Sequence, residues 1–365
     1  MLKKRPYCVD LVLIILATCI ASSASAVDES AAKYPTFGTI ERKDPAFDRL
    51  LSKNAKLEKL ATGFDWAEGP VWCKAEIEGA EKSDAVKDAA ARGRVPFLLF
   101  SDIPPNRIMR WSEPSNEAVI FMHPAGYTGK KPRGGEPGTN GLVLDKEGHL
   151  VACDHGDRRV YRLESNGAKK TLADKYEGKR LNSPNDLCYK SNGDLYFTDP
   201  PYGLEKNWDD PARELDFCGV YRLSKDGKLT LLTKELTRPN GIAFSPDERT
   251  LYVAQSDPAA AIWRAFDVKD DGTITNSRVL FDATAWVKVG KKGLPDGLKV
   301  DQDGNLWAAG PGGIVVLDKH GKHLGTINTG EATANCGWGG DGSTLYITAD
   351  MHLARIKTST KGAGW

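Results

Sequence analysis

The chain has 365 residues, of which 40% are hydrophobic and 27% are charged, and this composition is typical of an ordinary globular protein. Its 50 lysines and arginines are balanced by 49 aspartates and glutamates, which leaves a net charge of +1. Because the charges are well mixed and form no basic stripe, nucleic acid is not an expected partner.

The N-terminus has the pattern of a secretory signal peptide. Lys3, Lys4 and Arg5 precede an apolar run at 11–21, and small residues then lead to Ala26. The run is too short for a comfortable membrane span. We therefore expect cleavage after Ala26, no stable membrane span in the mature chain, and export to the periplasm or the medium. The alternatives are a lipoprotein anchored at Cys19 and an uncleaved anchor.

The following segments predict the start of a β structure. Residues 27–46 are expected to be a lead-in. Residues 47–60 are expected to form a short helix or an edge strand that pairs beside the last strand, near 353–356. The charged, Ala-rich stretch at about 74–94 has no clear apolar face and predicts a surface insertion. Apolar segments predict the first group of strands at 66–72, 97–102, 108–111 and 118–122.

One repeat motif then recurs along the rest of the chain. An Asn or Asp opens an apolar strand, a turn follows, and Leu begins a second strand ten or eleven residues later. A third apolar strand and Gly-containing turns complete each repeat. The five copies of this repeat motif start at Asn140, Asn185, Asn240, Asp296 and Asn335, and consecutive starts lie 39 to 56 residues apart. A period of about 40–55 residues made of short strands is typical of a propeller.

Together with a similar strand start at Glu68, the five repeat motifs make six units of roughly 50 residues each. We therefore predict an all-β fold, a six-bladed β-propeller with four-stranded blades that spans 47–365. Helix-period patterns of useful length are absent from the sequence. Three longer connections are expected to form rims over one face, at 126–138, 202–217 and 284–294.

The first residue of every unit carries a side-chain oxygen. In a propeller the innermost strand of each blade lines the central channel, so residues at this phase would face one point. Two carboxylates with several amide oxygens suit a hard cation, most simply Ca²⁺, with Mg²⁺, Mn²⁺ or Zn²⁺ as alternatives. We predict one divalent cation held by Glu68, Asn185, Asn240 and Asp296. The structural alternative is that each Asn only forms a turn.

Five further residues are predicted to bind substrate. Asn140 and Asn335 share the phase of the four ligands, while His155, Asp199 and Tyr202 follow or end second strands of their units. His155 could bind substrate hydroxyls or shuttle protons, because imidazole changes its charge near neutral pH. A structural role is the alternative for each of these residues.

The cysteine count leaves disulfide bonding open. Loss of Cys8 and Cys19 with the signal peptide would leave five cysteines, so at least one thiol would stay free or pair between chains. These five show no metal-type spacing, and the sequence does not name a disulfide pair among Cys73, Cys153, Cys188, Cys218 and Cys336.

Four motifs give the chain a resemblance to a known family. They are EGPVW at 68–72, SPND at 183–186, RPNG at 238–241 and PDGL at 295–298. In order and spacing they resemble the signatures of the SMP-30/gluconolactonase/LRE-like family, which includes gluconolactonases and regucalcin-like lactonases. The resemblance implies a six-bladed propeller with a divalent cation held by the four predicted ligands. It also implies that Asp296 is the catalytic residue, as base or nucleophile.

The predicted function is an exported, divalent-cation-dependent lactonase that hydrolyses a sugar lactone such as glucono-1,5-lactone to the aldonic acid. The metal would polarise the carbonyl while Asp296 activates water or attacks directly. The alternatives are a phosphotriesterase or arylesterase on the same site, and a non-catalytic calcium- or ligand-binding propeller. A quinone-dependent sugar dehydrogenase is disfavoured because the chain shows no basic cofactor-binding cluster. The oligomeric state is left open.

Overall fold

The computed structural model describes residues 33–75, 77 and 95–365. The predicted signal peptide, Cys19 and nearly all of the predicted insertion at 74–94 lie outside the described residues. Within them the chain is nearly all β and forms a six-bladed propeller, which confirms the predicted fold. No helix in this part of the chain is long and apolar enough to cross a membrane.

The first half of the described chain forms an N-terminal segment and three blades. The N-terminal segment contains β1 Thr36–Phe37, β2 Thr39–Arg42, α1 Phe47–Leu50 and β3 Leu57–Thr62. Blade 1 contains β4 Ala67–Cys73, β5 Phe97–Asp102, β6 Arg107–Trp111 and β7 Ala118–Met122. Blade 2 contains β8 Thr139–Leu144, β9 Leu150–Asp154, β10 Arg159–Leu163 and β11 Lys169–Ala173. A small hairpin, β12 Lys175–Tyr176 and β13 Lys179–Arg180, precedes blade 3, which contains β14 Leu187–Tyr189, β15 Leu195–Asp199, β16 Gly219–Leu223 and β17 Leu229–Thr233.

The second half forms the other three blades. A 3₁₀ turn, Asn207–Asp209, lies in the connection between β15 and β16. Blade 4 contains β18 Pro239–Phe244, β19 Thr250–Asp257, β20 Ala260–Val268 and β21 Ile274–Asp282. After α2 Thr284–Lys288, blade 5 contains β22 Leu298–Val300, β23 Leu306–Gly310, β24 Gly313–Leu317 and β25 His323–Asn328. Blade 6 contributes β26 Thr333–Gly339, β27 Thr344–Ala349 and β28 His352–Lys357.

Strand β3 closes the propeller by completing blade 6. It pairs antiparallel with β28, with Ala61 opposite Leu353 and Lys59 opposite Ala354. This confirms that the 47–60 segment pairs beside the last strand, and α1 supplies the short helix that was the alternative for the same segment. Two further strands lie in the expected lead-in: β1 pairs with β3, and β2 adds a fifth strand to blade 5. Propeller structure therefore begins before residue 47.

Six apolar clusters hold the blades together, one between each pair of neighbouring blades. Each contains at least one large aromatic side chain that is almost or completely inaccessible to solvent. Burying one such side chain stabilises the fold by about 1.5–3 kcal/mol. Because the apolar contacts lie between blades, the inner strands keep polar residues free for the channel. The aromatic residues, beginning between blades 1 and 2, are Tyr161, Tyr221, Phe266, Trp263, Trp307 and Trp111.

Candidate active site

Five of the six oxygen-bearing residues line one cavity at the end of the channel. The cavity has a volume of about 430 Å³. Four of these side chains are nearly inaccessible to solvent, and Asp296 is partly buried. The structure thus brings together residues that lie up to 228 positions apart in the sequence: Glu68, Asn140, Asn185, Asn240 and Asp296.

Local breaks in the inner strands aim these side chains into the cavity. The pairing of β4, β8 and β18 with their neighbours shifts register around Glu68, Asn140 and Asn240. Asn185 and Asp296 stand just before β14 and β22 begin. A bulge or strand start releases a residue from the regular alternation of faces, so its side chain can point along the channel.

The glycine after several of these residues permits close approach of neighbouring inner strands. A Cβ atom on Gly69 would collide with the backbone carbonyl of Asn140, and one on Gly241 would collide with that of Asp296. Gly69 also has a φ of +54°, which disfavours other residues. The alternative in which Asn140 and Asn240 only form turns is wrong, because both lie inside strands.

Paired polar residues at the ends of second strands form hydrogen bonds, here called a clamp, that hold the segments leading to the site. In blade 3, Thr198 Oγ1 donates to the carbonyl of Asn240 in the next blade at 2.7 Å. The adjacent Asp199 accepts the backbone N–H groups of Asn182 and Ser183, both at 2.8 Å. Asp199 thereby holds the segment that leads to Asn185. Burial raises the pKa of Asp199 to about 7, although these amide donors oppose the shift.

The same clamp occurs in blade 1. Ser101 Oγ donates to the carbonyl of Asn140 in the next blade at 2.7 Å. Asp102 Oδ1 accepts the N–H groups of Asp65 and Trp66, at 3.0 and 3.1 Å, and so holds the segment before Glu68. The recurring Ser-Asp and Thr-Asp pairs are visible in the sequence, although their link to the site is a tertiary contact.

Hydrogen bonds orient two carboxamides so that their oxygens face the cavity. Asn240 Nδ2 donates to Ser256 Oγ at 2.7 Å, and Ser256 in turn donates to the Pro295 carbonyl at 2.7 Å. Asn185 Nδ2 lies 3.5 Å from Nε2 of His155. With both amino groups engaged on the protein side, the two Oδ1 atoms remain for a ligand.

Four enclosed oxygens of the site have no hydrogen-bond partner among the described residues: Oδ1 of Asn140, Asn185, Asn240 and Asp296. A buried oxygen without a partner costs about 1–3 kcal/mol, so four in one cavity need a compensating ligand. Oxygen acceptors with a carboxylate fit a hard divalent cation such as Ca²⁺. The residues present therefore fit the cation that the sequence predicts.

Glu68 is held by a polar network below the cavity. Its Oε2 accepts the N–H of Gly69 at 2.5 Å and Nδ2 of Asn335 at 2.9 Å. Asn335 Oδ1 accepts the backbone N–H of Cys336 at 2.8 Å and lies 3.4 Å from Nζ of Lys299. Asn335 is thus a partner of Glu68 and is not among the residues that line the cavity.

Both carboxyl groups of the site have raised pKa values. Burial, followed by the nearby charge of Asp186, raises the pKa of Glu68 to about 7. Burial, followed by the charge of Glu68, raises the pKa of Asp296 well above its usual range. Two carboxylates that repel each other in a poorly solvated cavity favour a bound cation or a bound proton.

The other predicted substrate-binding residues divide into two groups. Asn140 and Tyr202 line the cavity. His155 and Asp199 are fully buried behind it, where they hold neighbouring groups. Whether any of them binds substrate remains a prediction, as do the roles assigned to the metal ligands and to Asp296.

The predicted rims supply cavity residues that the sequence did not single out. Glu136 comes from the connection between β7 and β8, and Val287 and Leu294 come from the segment around α2. Ser256, at the end of β19, also lines the cavity. A polar Ser at a strand end was the available signal for Ser256, whereas the position of Glu136 depends on how its loop folds.

A separate acidic cluster lies at the far end of β8, in the turn formed by Asp145, Glu147 and His149. Asp145 Oδ1 accepts the N–H groups of Glu147 and His149, and its Oδ2 lies 3.1 Å from Nδ1 of His149. These internal hydrogen bonds explain the cluster without a metal.

Four described thiols do not line the cavity. Cys153, Cys188, Cys218 and Cys336 are free, so no disulfide joins them.

The structure is a six-bladed propeller with a polar cavity at the end of its channel, and comparisons with known proteins identify its family. The family model for the SMP-30/Gluconolactonase/LRE-like region matches residues 66–350. The chain belongs to this family.

Individual relatives show which members of the family the chain is similar to. A gluconolactonase from Zymomonas mobilis subsp. mobilis is 36% identical over 362 residues, covering 96% of each chain. A structurally and functionally analysed gluconolactonase from Xanthomonas campestris is 30% identical with a TM-score of 0.71, covering 90% of this chain and 99% of its own. A calcium-binding regucalcin from Agrobacterium tumefaciens, 19% identical with a TM-score of 0.60, covers 84% of this chain and 94% of its own and shares the fold. The protein is thus an enzyme that hydrolyses lactones, which are cyclic carboxylic esters.

Proposed function

We propose that the protein hydrolyses a sugar lactone such as glucono-1,5-lactone to the aldonic acid. We further propose that it uses one divalent cation, with Ca²⁺ as the first candidate, held by Glu68, Asn185, Asn240 and Asp296. The observation that carries the proposal is the group of enclosed oxygens without partners, which converge in one cavity with two carboxyl groups. The choice of substrate is supported by relatives whose names specify gluconolactonase.

The chain's own residues would divide the work as follows. When bound, the cation supplies Lewis-acid polarisation of the lactone carbonyl and stabilises developing negative charge. Asp296 removes a proton from the attacking water, because its carboxylate lines the cavity beside Glu68. Asn335 fixes the orientation of Glu68, so that Glu68 serves as a ligand and not as a competing base.

The hydrolysis balances with these groups. The water oxygen bonds to the carbonyl carbon while its proton passes to Asp296. The ring C–O bond then breaks, and the leaving oxygen takes up the proton from Asp296, which returns the carboxylate to its starting state. In the nucleophilic alternative the Asp296 carboxylate attacks the carbonyl carbon, the ring C–O bond breaks, and the leaving oxygen takes a proton from the water that hydrolyses the resulting anhydride. Attack of this water on the Asp296 carbonyl would place a solvent oxygen in Asp296.

The cavity suits a small cyclic substrate. Its volume of about 430 Å³ is within the usual range for small-molecule sites, about 300–1,000 Å³. Its lining divides into apolar side chains, which include Trp66, Val287 and Leu294, and oxygen-bearing side chains. Such a division would orient a ring with its ester group toward the carboxyl groups.

We further propose that the enzyme is exported, since residues 3–26 carry a basic start, a short apolar core and a small-residue cleavage site. Mass spectrometry of the N-terminus after expression of the full chain, together with fractionation of the culture, would test this. A mature protein that begins at Val27 outside the cytoplasm supports export, and an intact N-terminus in the cytoplasm contradicts it.

The test of the proposed activity is turnover of a lactone panel by chelator-treated protein reconstituted with Ca²⁺, Mg²⁺, Mn²⁺ or Zn²⁺. We expect cation-dependent opening of glucono-1,5-lactone and a loss of about 10²-fold or more in kcat for Asp296→Asn. Asp303→Asn is the matched control, because Asp303 is exposed on the same blade and does not line the cavity.

A wild-type protein that opens no lactone with any of these cations would refute the proposed function. Equal activity with and without chelator would refute the cation.

A further inference from the structure

Glu136 adds a third carboxyl group to the cavity. It lies in the rim loop, residues 123–138, which connects β7 with β8. Its side chain is 35% exposed and lines the same cavity as Glu68 and Asp296. Because it comes from a loop on the cavity rim, it lies beside the space that a substrate would fill.

The rim loop is held firmly on the propeller. Thr128 contacts Asp157 through its backbone N–H at 3.1 Å and through its hydroxyl at 2.7 Å. Arg133 donates to the carbonyl of Gly156 at 3.2 Å and to that of Gly203. These contacts tie the loop to the neighbouring blade connections, so the position of Glu136 is defined in the absence of substrate.

His155 connects Glu136 to a predicted cation ligand. Its Nδ1 lies 3.0 Å from Oε2 of Glu136, and its Nε2 lies 3.5 Å from Nδ2 of Asn185. The Nδ1 contact is an ion-pair distance without hydrogen-bond geometry, whereas Nε2 can accept the Asn185 amide proton. His155, which is fully buried, is thus a positioning residue for both groups.

We propose that Glu136 is a specificity-determining residue that accepts hydrogen bonds from substrate hydroxyl groups and restricts efficient turnover to polyhydroxylated lactones. The inference rests on the proposed function. A carboxylate anchored through one oxygen can use its other oxygen to accept hydroxyl donors, and hydrogen bonds to a charged group are among the stronger ones. A lactone without hydroxyls would offer this carboxylate no donor and gain nothing from it.

The experiment compares kcat/KM for glucono-1,5-lactone with that for δ-valerolactone, which has the same ring but no hydroxyl groups. For Glu136→Gln and Glu136→Ala we expect kcat/KM on gluconolactone to fall about 10- to 100-fold, with δ-valerolactone changed less than about threefold. Glu205→Gln is the control, because Glu205 is an exposed rim carboxylate, 3.9 Å from Arg133, that does not line the cavity.

The role of His155 is tested by the ratio of the two kcat/KM values, which general damage to the fold would not change. His155→Gln should lower this ratio, and adding Glu136→Gln should lower it little further. Equal loss on both lactones, or no loss on either, for the Glu136 variants would overturn the proposal. If the wild type opens neither lactone, the proposed function fails instead. A loss of cation affinity in Glu136→Gln as large as that of an Asn185→Ala variant would also overturn the proposal.

Discussion

At the residue scale, the sequence identifies the oxygen donors but not the direction in which each one points. Asn140 and Asn335 share one phase of the repeat, yet Asn140 presents an unpartnered oxygen to the cavity while Asn335 bonds to Glu68. The difference depends on Lys299 and the backbone of Cys336, which engage the Asn335 oxygen. The Lys299 contact comes from another strand, so the local pattern around Asn335 does not show it.

Asn335→Ala should weaken cation binding because it removes the donor that orients Glu68. Loss of a group that orients a metal ligand typically costs about 10- to 100-fold in affinity. Calorimetric titration of the metal-free variant with Ca²⁺ would measure the change. Asn166→Ala, in an exposed turn, should bind Ca²⁺ like the wild type. Wild-type affinity for Asn335→Ala would show that Glu68 does not depend on this bond.

Cation affinity should fall as the pH is lowered through about 7. Burial raises the pKa of Glu68 from its ordinary 4.5 to about 7, so at lower pH the cation must displace a proton from it. We expect Ca²⁺ affinity to be at least about 10-fold weaker at pH 6 than at pH 8. Titrations in buffers of different ionisation enthalpy would also reveal the released protons. A pH-independent affinity would contradict the pKa shift.

The stability of the metal-free protein should show the opposite trend. Between pH 4.5 and about 7 the folded state retains a proton on Glu68 that the unfolded chain releases. The contribution of Glu68 to the free energy of unfolding therefore decreases as the pH rises through this window. Thermal melts should show that Glu68→Gln reduces this pH dependence and that Ca²⁺ stabilises the wild type most at high pH. An unchanged pH dependence in Glu68→Gln would be inconsistent with this explanation.

At the element scale, the strands were predictable because each repeat alternates apolar strands with Gly-containing turns. Strands β5 and β7 occupy the residues predicted for them, and β4 and β6 differ from the prediction by one residue at their ends. The strands β1 and β2 were missed because their short sequences pair with distant partners. Their structure is set by the sheet edges that they meet, and the local sequence carries no signal for it.

Gly241→Ala should disturb the site through the backbone. Its Cβ would collide with the carbonyl of Asp296, so the inner strands of blades 4 and 5 would have to separate. We expect Ca²⁺ affinity and kcat/KM to fall about 10-fold or more, with a protein that still folds. Gly134→Ala is the control because a Cβ there meets open space. Equal activity of the two variants would show that the strands tolerate the added carbon.

At the scale of the whole molecule, the ring of six blades is what gathers distant residues into one site. Closure depends on β3, which joins the N-terminal segment to blade 6. Leu60 of this strand is buried in the cluster between blades 6 and 1, together with Phe64, Leu98 and Leu353. The prediction of closure succeeded because a propeller needs its last blade completed, so an apolar segment outside the repeats had an expected place.

Leu60→Ala should destabilise the propeller by about 2–4 kcal/mol, because it leaves a cavity where the ring closes. Val119→Ala, at a side chain that is 38% exposed, should cost less than about 0.5 kcal/mol. Denaturant unfolding measures both values, and kcat of the folded Leu60→Ala enzyme should stay near that of the wild type. A loss no larger than that of the control would mean that closure contributes little to stability.

We infer that the enclosed oxygens around the channel form the cation site of a lactonase. Anomalous diffraction from Mn²⁺-soaked crystals would test this assignment, because the anomalous peak locates the metal independently of activity. We predict one strong peak within coordination distance of Glu68, Asn185, Asn240 and Asp296. No peak at this position, or a peak only at the Asp145 turn at the far end of β8, would contradict the claim.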